Sequence, residues 1–239
     1  MIGILGALDE EIALIKNSMD PIKTHEFLGR QFYQGCWHGQ EMVVVKSGIG
    51  KVRAAMTATA LVSHFGIRGL LFTGVGAALH DQFQVGDVVL IHAGIEHDFG
   101  MVDEQGFRLG LDFLPGEEAQ VIQAEPTLLD LAWQQRSQIS LQPVRPGIPP
   151  QLHRGQVATG DLFIAAAAKR QEIRALTQAD VVEMEGAAVL RVAVAAQIPC
   201  LLVRSISDSG DSTADFLTFF AKAAQNAVAV VEGVLQSLG

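Results

Sequence analysis

Short apolar runs alternate with amphipathic segments along the whole of this 239-residue chain, and that alternation limits its fold more than any other feature. Stretches such as Met42-Val43-Val44-Val45 and Leu201-Leu202-Val203 are apolar at every position, as strands covered on both faces must be. Strands are predicted near Ile2–Gly6, Gln31–Trp37, Met42–Ser47, Gly69–Thr73, Val88–Glu96, Gln156–Thr159, Val181–Met184 and Cys200–Ile206. Helices are predicted near Glu10–Met19, Lys51–Phe65, Pro126–Ser137, Ala165–Ala175, Gly186–Ala196 and Ala214–Leu238. This is an α/β pattern, and its length suits one domain spanning 1–239. From Phe99 to Pro126, and again around Pro143–His153, Gly, Pro and charged residues interrupt any period, so the first of these stretches is a candidate lid or partner-contacting loop.

Charge and composition narrow the function. Apolar residues make up 49% of the chain and charged residues 18%, which argues against disorder. A formal net charge of −9, with no run of Lys or Arg, disfavours nucleic acid as partner and favours a small molecule. The two cysteines, Cys36 and Cys200, lie in apolar surroundings and are spaced wrongly for zinc, so a reducing, cytoplasmic setting is expected. The opening residues lack the basic segment of a secretory signal, and no charge-free apolar stretch of membrane-spanning length follows.

Four polar signals fall just after predicted strands: Asp9-Glu10-Glu11, Thr73-Gly74-Val75-Gly76, Glu183-Met184-Glu185 and Ser207-Asp208. In open α/β sheets the carboxyl ends of strands form the ligand crevice, so groups far apart in sequence can share one rim. Glu183 and Glu185 sit between apolar runs where an unpaired acid is costly, and they need a partner or a chemical task. Glu185 also fits a first-turn role, as do Glu10 and Glu11 at the start of their helix. Arg204 lies inside an apolar strand and must be neutralised; Glu11 or Glu185 can supply the charge. Asp208, followed by Ser209 and Gly210, fits a turn or cap as well as a site. Gly3-Ile4-Leu5-Gly6 lacks the third glycine of a dinucleotide fingerprint, so a Rossmann cofactor is not indicated.

Taken in order, Gly6-Ala7-Leu8-Asp9-Glu10-Glu11, Ser47-Gly48-Ile49-Gly50-Lys51, Thr73-Gly74, Val85-Gly86-Asp87, Thr159-Gly160-Asp161, Val182-Glu183-Met184-Glu185 and Arg204-Ser205-Ile206-Ser207-Asp208 resemble the 5′-methylthioadenosine/S-adenosylhomocysteine nucleosidases of the nucleoside phosphorylase superfamily. The resemblance implies a three-layer αβα sandwich around a mixed, mainly parallel twisted sheet, and hydrolysis without metal or organic cofactor. It also implies a homodimer in which the loop after His97 reaches the neighbouring site. Carried over by position, Glu11 activates water, Glu185 binds the ribose hydroxyls, Asp208 serves as acid to adenine, and Arg204 helps hold Glu185 and the water. Phe163, Ile164 and Met184 frame the base, with Glu183 and Ser207 beside it. Leu8, Ile49 and Phe216 line the pocket for the 5′ group.

The chemistry suits these types independently. Departing adenine gains negative charge and needs a proton, so Asp208 must be protonated at work, as burial can arrange. The ribose gains cationic character that a carboxylate at its hydroxyls stabilises, while an ionised Glu11 takes the proton of water. Two departures bear on substrate choice. Val75-Gly76-Ala77-Ala78 stands where the family has a small polar residue before Ala-Gly-Gly, which removes a hydroxyl contact. His97-Asp98 is kept, but Phe99-Gly100-Met101 is not the family's continuation. An aminofutalosine nucleosidase and a phosphate-dependent purine nucleoside phosphorylase remain as alternatives.

Overall fold

In chain order, the elements of the computed structural model, which describes residues 1–208 and 213–238, follow the expected alternation closely. They are β1 (Ile2–Gly6), α1 (Asp9–Ser18), β2 (Lys23–Phe27), β3 (Arg30–Trp37), β4 (Gln40–Lys46), α2 (Lys51–Ser63), β5 (Leu70–Ala78) and β6 (Val88–Glu96). There follow β7 (Gly100–Asp103), β8 (Gly106–Leu109), β9 (Ile122–Gln123), α3 (Pro126–Gln134), β10 (Leu152–Thr159), α4 (Ala167–Thr177), β11 (Val181–Glu183), α5 (Gly186–Ala195), β12 (Cys200–Asp208) and α6 (Thr213–Ser237). Ser209 and Gly210 lie outside the described residues.

Ten strands form one mixed sheet, β11-β10-β6-β12-β5-β1-β4-β3-β2, with β9 pairing β6. Parallel pairing runs from β4 through β1 and β5 to β12, whereas β12 meets β6 antiparallel. Helices cover both faces. Ala54, Ala58 and Leu61 of α2 and Val189 and Leu190 of α5 pack with Leu5, Val43 and Phe72 on one side. On the other, Ile12 and Ile15 of α1, Leu128 of α3 and Val230, Val231 and Val234 of α6 pack with Ile4, Val44 and Val203. Successive strand residues feed opposite cores, which is why the strands read as unbroken apolar runs.

Two features of the sheet position the site. β5 runs on past Thr73 to Ala78, and its last residues pair antiparallel with β11, so five strands close on themselves. Gly74, Gly76 and the alanines of this extension carry little bulk, and a Cβ at Gly76 would fall 2.6 Å from Val181 Cγ1. β12 likewise runs to Asp208 and slips register against β5 between Ile206 and Asp208, a bulge that re-aims the residues at its end.

Two further additions concern polar segments. Lys-Thr-His-Glu-Phe forms the edge strand β2, joined to β3 by the turn at Leu28 and Gly29 with φ of 50° and 67°. Within the irregular stretch after Phe99, β7 and β8 form a hairpin. Among the described residues no helix is long and apolar enough to cross a membrane.

Candidate active site

The carboxyl ends of β1, β4, β5, β10, β11 and β12 surround a cleft. Ala7, Leu8, Glu11, Ile49, Val75, Gly76, Ala77, Leu162, Phe163, Ile164, Val182, Glu183, Met184, Glu185, Ser207, Asp208 and Phe216 line it. Every residue expected to bind substrate is among them, and so are the three acids Glu11, Glu185 and Asp208. Arg204 is not.

Glu11 is the third residue of α1, and its side chain turns back over the helix start. Oε2 accepts from Ala7 N at 2.6 Å and Leu8 N at 2.9 Å, while Oε1 accepts from Val75 N at 3.2 Å. The first pair satisfies amides that a helix start otherwise leaves open. Gly74 makes room for this arrangement, since a Cβ there would sit 2.8 Å from Glu11 Oε1 and 3.2 Å from Arg204 Nη1. Burial pushes the Glu11 carboxyl above the usual carboxylate range, against the opposing pull of Arg204 and the three N–H groups.

Glu183 and Glu185 flank Met184 but do different things. The Glu183 carboxylate accepts from Thr159 Oγ1, from Glu185 N at 3.0 Å, from Gly186 N at 2.8 and 2.9 Å, and from Arg204 Nη2 at 2.7 Å and Nε at 3.2 Å. It thus caps the start of α5 with negative charge and neutralises the arginine, while Glu183 itself still lines the cleft. The expectation for Arg204 is corrected: its hydrogen bonds go to Glu183 and Val203 O, not to Glu185, and its guanidinium lies 4.0 Å over the Phe72 ring, behind the cleft. The reason is position, because Glu183 ends β11, and closure of the sheet through β5, which pairs with both β11 and β12, brings its carboxylate within reach of Arg204.

Glu185 is left to face the cleft, holding Gly50 N at 2.8 Å through Oε1. Burial first, and then the neighbouring Glu183 charge, raise its pKa to about 8. Asp208 is also buried, and Ser207 Oγ lies 2.8 Å from its Oδ2. Ser207 Oγ is 3.4 Å from Gly76 O as well, so both residues of the bulge are tied to the β5 extension.

The walls between the acids are apolar. Phe163 and Phe216 meet edge to face at 5.3 Å between centroids, and Phe216 stacks on Phe220 at 5.1 Å. Leu8 and Ile49 lie on the same cleft. Residues that the sequence reading left without a role also emerge here. Ala7, Leu162 and Val182 line the cleft, and the Gly50 amide holds an acid; Gly50 and Asp161 stand in the quoted glycine-lysine and Thr-Gly-Asp motifs, which were the available signal.

A closed mixed sheet between helical layers, with carboxylates gathered at strand ends, is the arrangement of the phosphorylase superfamily, whose family model matches residues 1–236; the chain belongs to that superfamily. Within it the protein is a nucleosidase, an N-glycosidase-type hydrolase. It is 34% identical to a 5′-methylthioadenosine/S-adenosylhomocysteine nucleosidase of Marinomonas sp., over 99% of this chain and 98% of that one. It is 33% identical to an aminodeoxyfutalosine nucleosidase of Campylobacter jejuni, over 90% of this chain and 88% of that one. Among solved structures, the methylthioadenosine/S-adenosylhomocysteine nucleosidase of Colwellia psychrerythraea in complex with adenine superposes with a TM-score of 0.87 at 29% identity, covering 99% of this chain and 95% of that one. The futalosine hydrolase of Helicobacter pylori superposes with a TM-score of 0.86 at 30% identity, covering 99% and 97%.

Proposed function

We propose that the protein hydrolyses the adenine–ribose bond of 5′-thio-substituted adenosines, 5′-methylthioadenosine and S-adenosylhomocysteine, and of the smaller 5′-deoxyadenosine. The observation that carries this is the meeting of three buried acids with an apolar wall formed by Leu8, Ile49 and Phe216 in one cleft. Asp208, protonated, gives a proton to the leaving adenine, a contribution of about 10²–10⁴ in rate. Ser207 orients that carboxyl through Oδ2. Glu11 takes the proton of the attacking water at Oε1, the oxygen with a single backbone donor. Its raised pKa makes it a better base than a solvated glutamate.

Glu185 binds the ribose hydroxyls. A pKa of about 8 reflects burial first and then the charge of Glu183, with Glu11 adding to it, and a sugar gaining positive charge draws the Glu185 proton off. The stabilisation therefore grows toward the transition state, where it lowers the barrier. Water is favoured over phosphate as the nucleophile because the described cleft lining contains acids and no Lys or Arg.

A second reading, aminofutalosine as substrate, is favoured by the likeness to the Campylobacter nucleosidase and shares the same acids. Adenine release is to be measured with and without phosphate, with specificity constants for methylthioadenosine, S-adenosylhomocysteine and aminofutalosine side by side. Strict phosphate dependence defeats hydrolysis, and a large preference for aminofutalosine replaces the thio-adenosines as substrates.

The working form proposed is a cytoplasmic homodimer. Ile49, Leu162 and Phe163 are exposed at the cleft mouth, Val52 and Met56 continue that surface along α2, and Val102, Phe113 and Leu114 are exposed in the 99–116 segment. Apolar exposure around a site mouth suits a partner that completes the 5′ pocket.

A further inference from the structure

Three loops that reach the cleft from different strands are tied together just outside it. Lys51 N, in the first turn of α2, donates to Asp161 Oδ1 at 2.7 Å, and Asp161 N donates to Asp98 Oδ2 at 2.8 Å. The other Asp98 oxygen accepts from Lys51 Nζ at 2.6 Å, which closes the ring. Glu96 adds a second acid 3.4 Å from Nζ. Burial alone would lower the Lys51 pKa, but the Asp98 contact and the charges of Glu96 and Asp161 more than offset it, so the cation is held firmly. Gly50, with φ of +102° and a position where a Cβ would sit 3.0 Å from Asp161 Oδ1, allows the chain to turn there.

Each member of the ring stands next to a group of the site. The residue before Lys51 gives its amide to Glu185 Oε1. Two and three residues after Asp161 come Phe163 and Ile164, which line the cleft. Asp98 leads directly into the β7–β8 hairpin. None of the three ring residues lines the cleft itself.

From this geometry we infer that Lys51, Asp98 and Asp161 are positioning residues, a ring that fixes the Phe163–Ile164 loop and the Gly50–Glu185 contact together for the bound nucleoside. The inference rests on the proposed reading for its substrate, not for its geometry. Losing Lys51 leaves Glu96, Asp98 and Asp161 facing one another without their cation, and losing the Asp161 carboxylate leaves the Lys51 amide without its acceptor; either way the loop with Phe163 and Ile164 loses its registration. Binding of the ground state suffers first, because the Phe163–Ile164 loop lines the cleft at the base, whereas Glu185 keeps its own place at the start of α5.

Asp161 is exposed, so changing it spares the fold, and the chemistry of its oxygen separates the alternatives. In Asp161→Ala the acceptor for Lys51 N is gone; Asp161→Asn keeps it. Expected for Asp161→Ala and Lys51→Met is a rise in KM of about tenfold with kcat within about threefold of wild type. Asp161→Asn and Lys51→Arg stay near wild type, since an acceptor and a cation are retained. Titration with free adenine gives a weaker Kd in the same two variants and reads the loop without turnover. Wild-type KM and adenine affinity in Asp161→Ala, or an equal loss in Asp161→Asn, overturns the ring. If wild-type protein binds adenine yet cleaves none of the nucleosides, the substrate reading fails while the adenine titrations still decide the ring.

Discussion

Arg204 and Glu183 form an ion pair closed to solvent, with Nη2 2.7 Å from Oε2 and the side chains 1% and 3% exposed. The pair joins β12 to β11, and its carboxylate also holds the first amides of α5. Glu183→Gln therefore leaves a buried guanidinium uncompensated, and the expected loss is about 3–5 kcal/mol of stability. Urea unfolding of the variant measures it; a midpoint unchanged from wild type contradicts the structural role.

Asp208→Asn removes the ionisable proton while keeping a side chain of the same size beside Ser207. Turnover is expected to fall by about 10²–10⁴, the usual worth of general acid catalysis. Affinity for a nonhydrolysable adenosine analogue stays near wild type, because the amide still presents hydrogen-bonding groups to the base. Parallel kinetics and calorimetry on the variant check both halves, and retained turnover removes Asp208 from the reaction.

Glu185 links activity to stability through pH. The folded protein keeps its proton up to about pH 8, whereas an ordinary glutamate releases it near 4.5. Stability from that protonation is complete below pH 4.5 and is lost as pH rises through 8. Glu185→Gln, which never ionises, is expected to gain about 1–2 kcal/mol over wild type at pH 9 and to lose the advantage near pH 4.5, while turnover collapses. Denaturant midpoints at the two pH values decide it; an advantage that is the same at both places the effect outside ionisation.

The order of strands and helices, the three acids and the cleft walls were legible because each depends on local pattern or on a short motif at a strand end. What escaped depends on distant partners. Glu183 and Glu185 look alike in the sequence, two residues apart around Met184, and only the approach of β12 to β11 shows which one Arg204 takes. The continuation of β5 through Gly74 to Ala78 has no strand-like bulk, and its pairing with Val181 and Val182 joins residues about a hundred positions apart. β2 was missed for a different reason: an exposed edge strand needs no apolar run, and Lys23–Phe27 has none.

The apolar rim provides the last test. Val52 is 75% exposed on α2, near Ile49 at the cleft mouth and one turn before Met56. In the proposed homodimer this face is covered, so Val52→Glu buries a charge at the contact and is expected to shift the protein toward monomer. Val52 is exposed on the protomer and lies outside the cleft lining, so the substitution is expected to leave the fold of an isolated protomer intact. What it loses is the neighbour's closure of the 5′ pocket. KM for methylthioadenosine is therefore expected to rise by at least about tenfold, while affinity for free adenine, which lacks the 5′ group, changes little. Sedimentation of wild type and variant across a concentration series, with both measurements made on the same samples, joins assembly to selectivity. A wild-type monomer with full activity defeats the dimer outright.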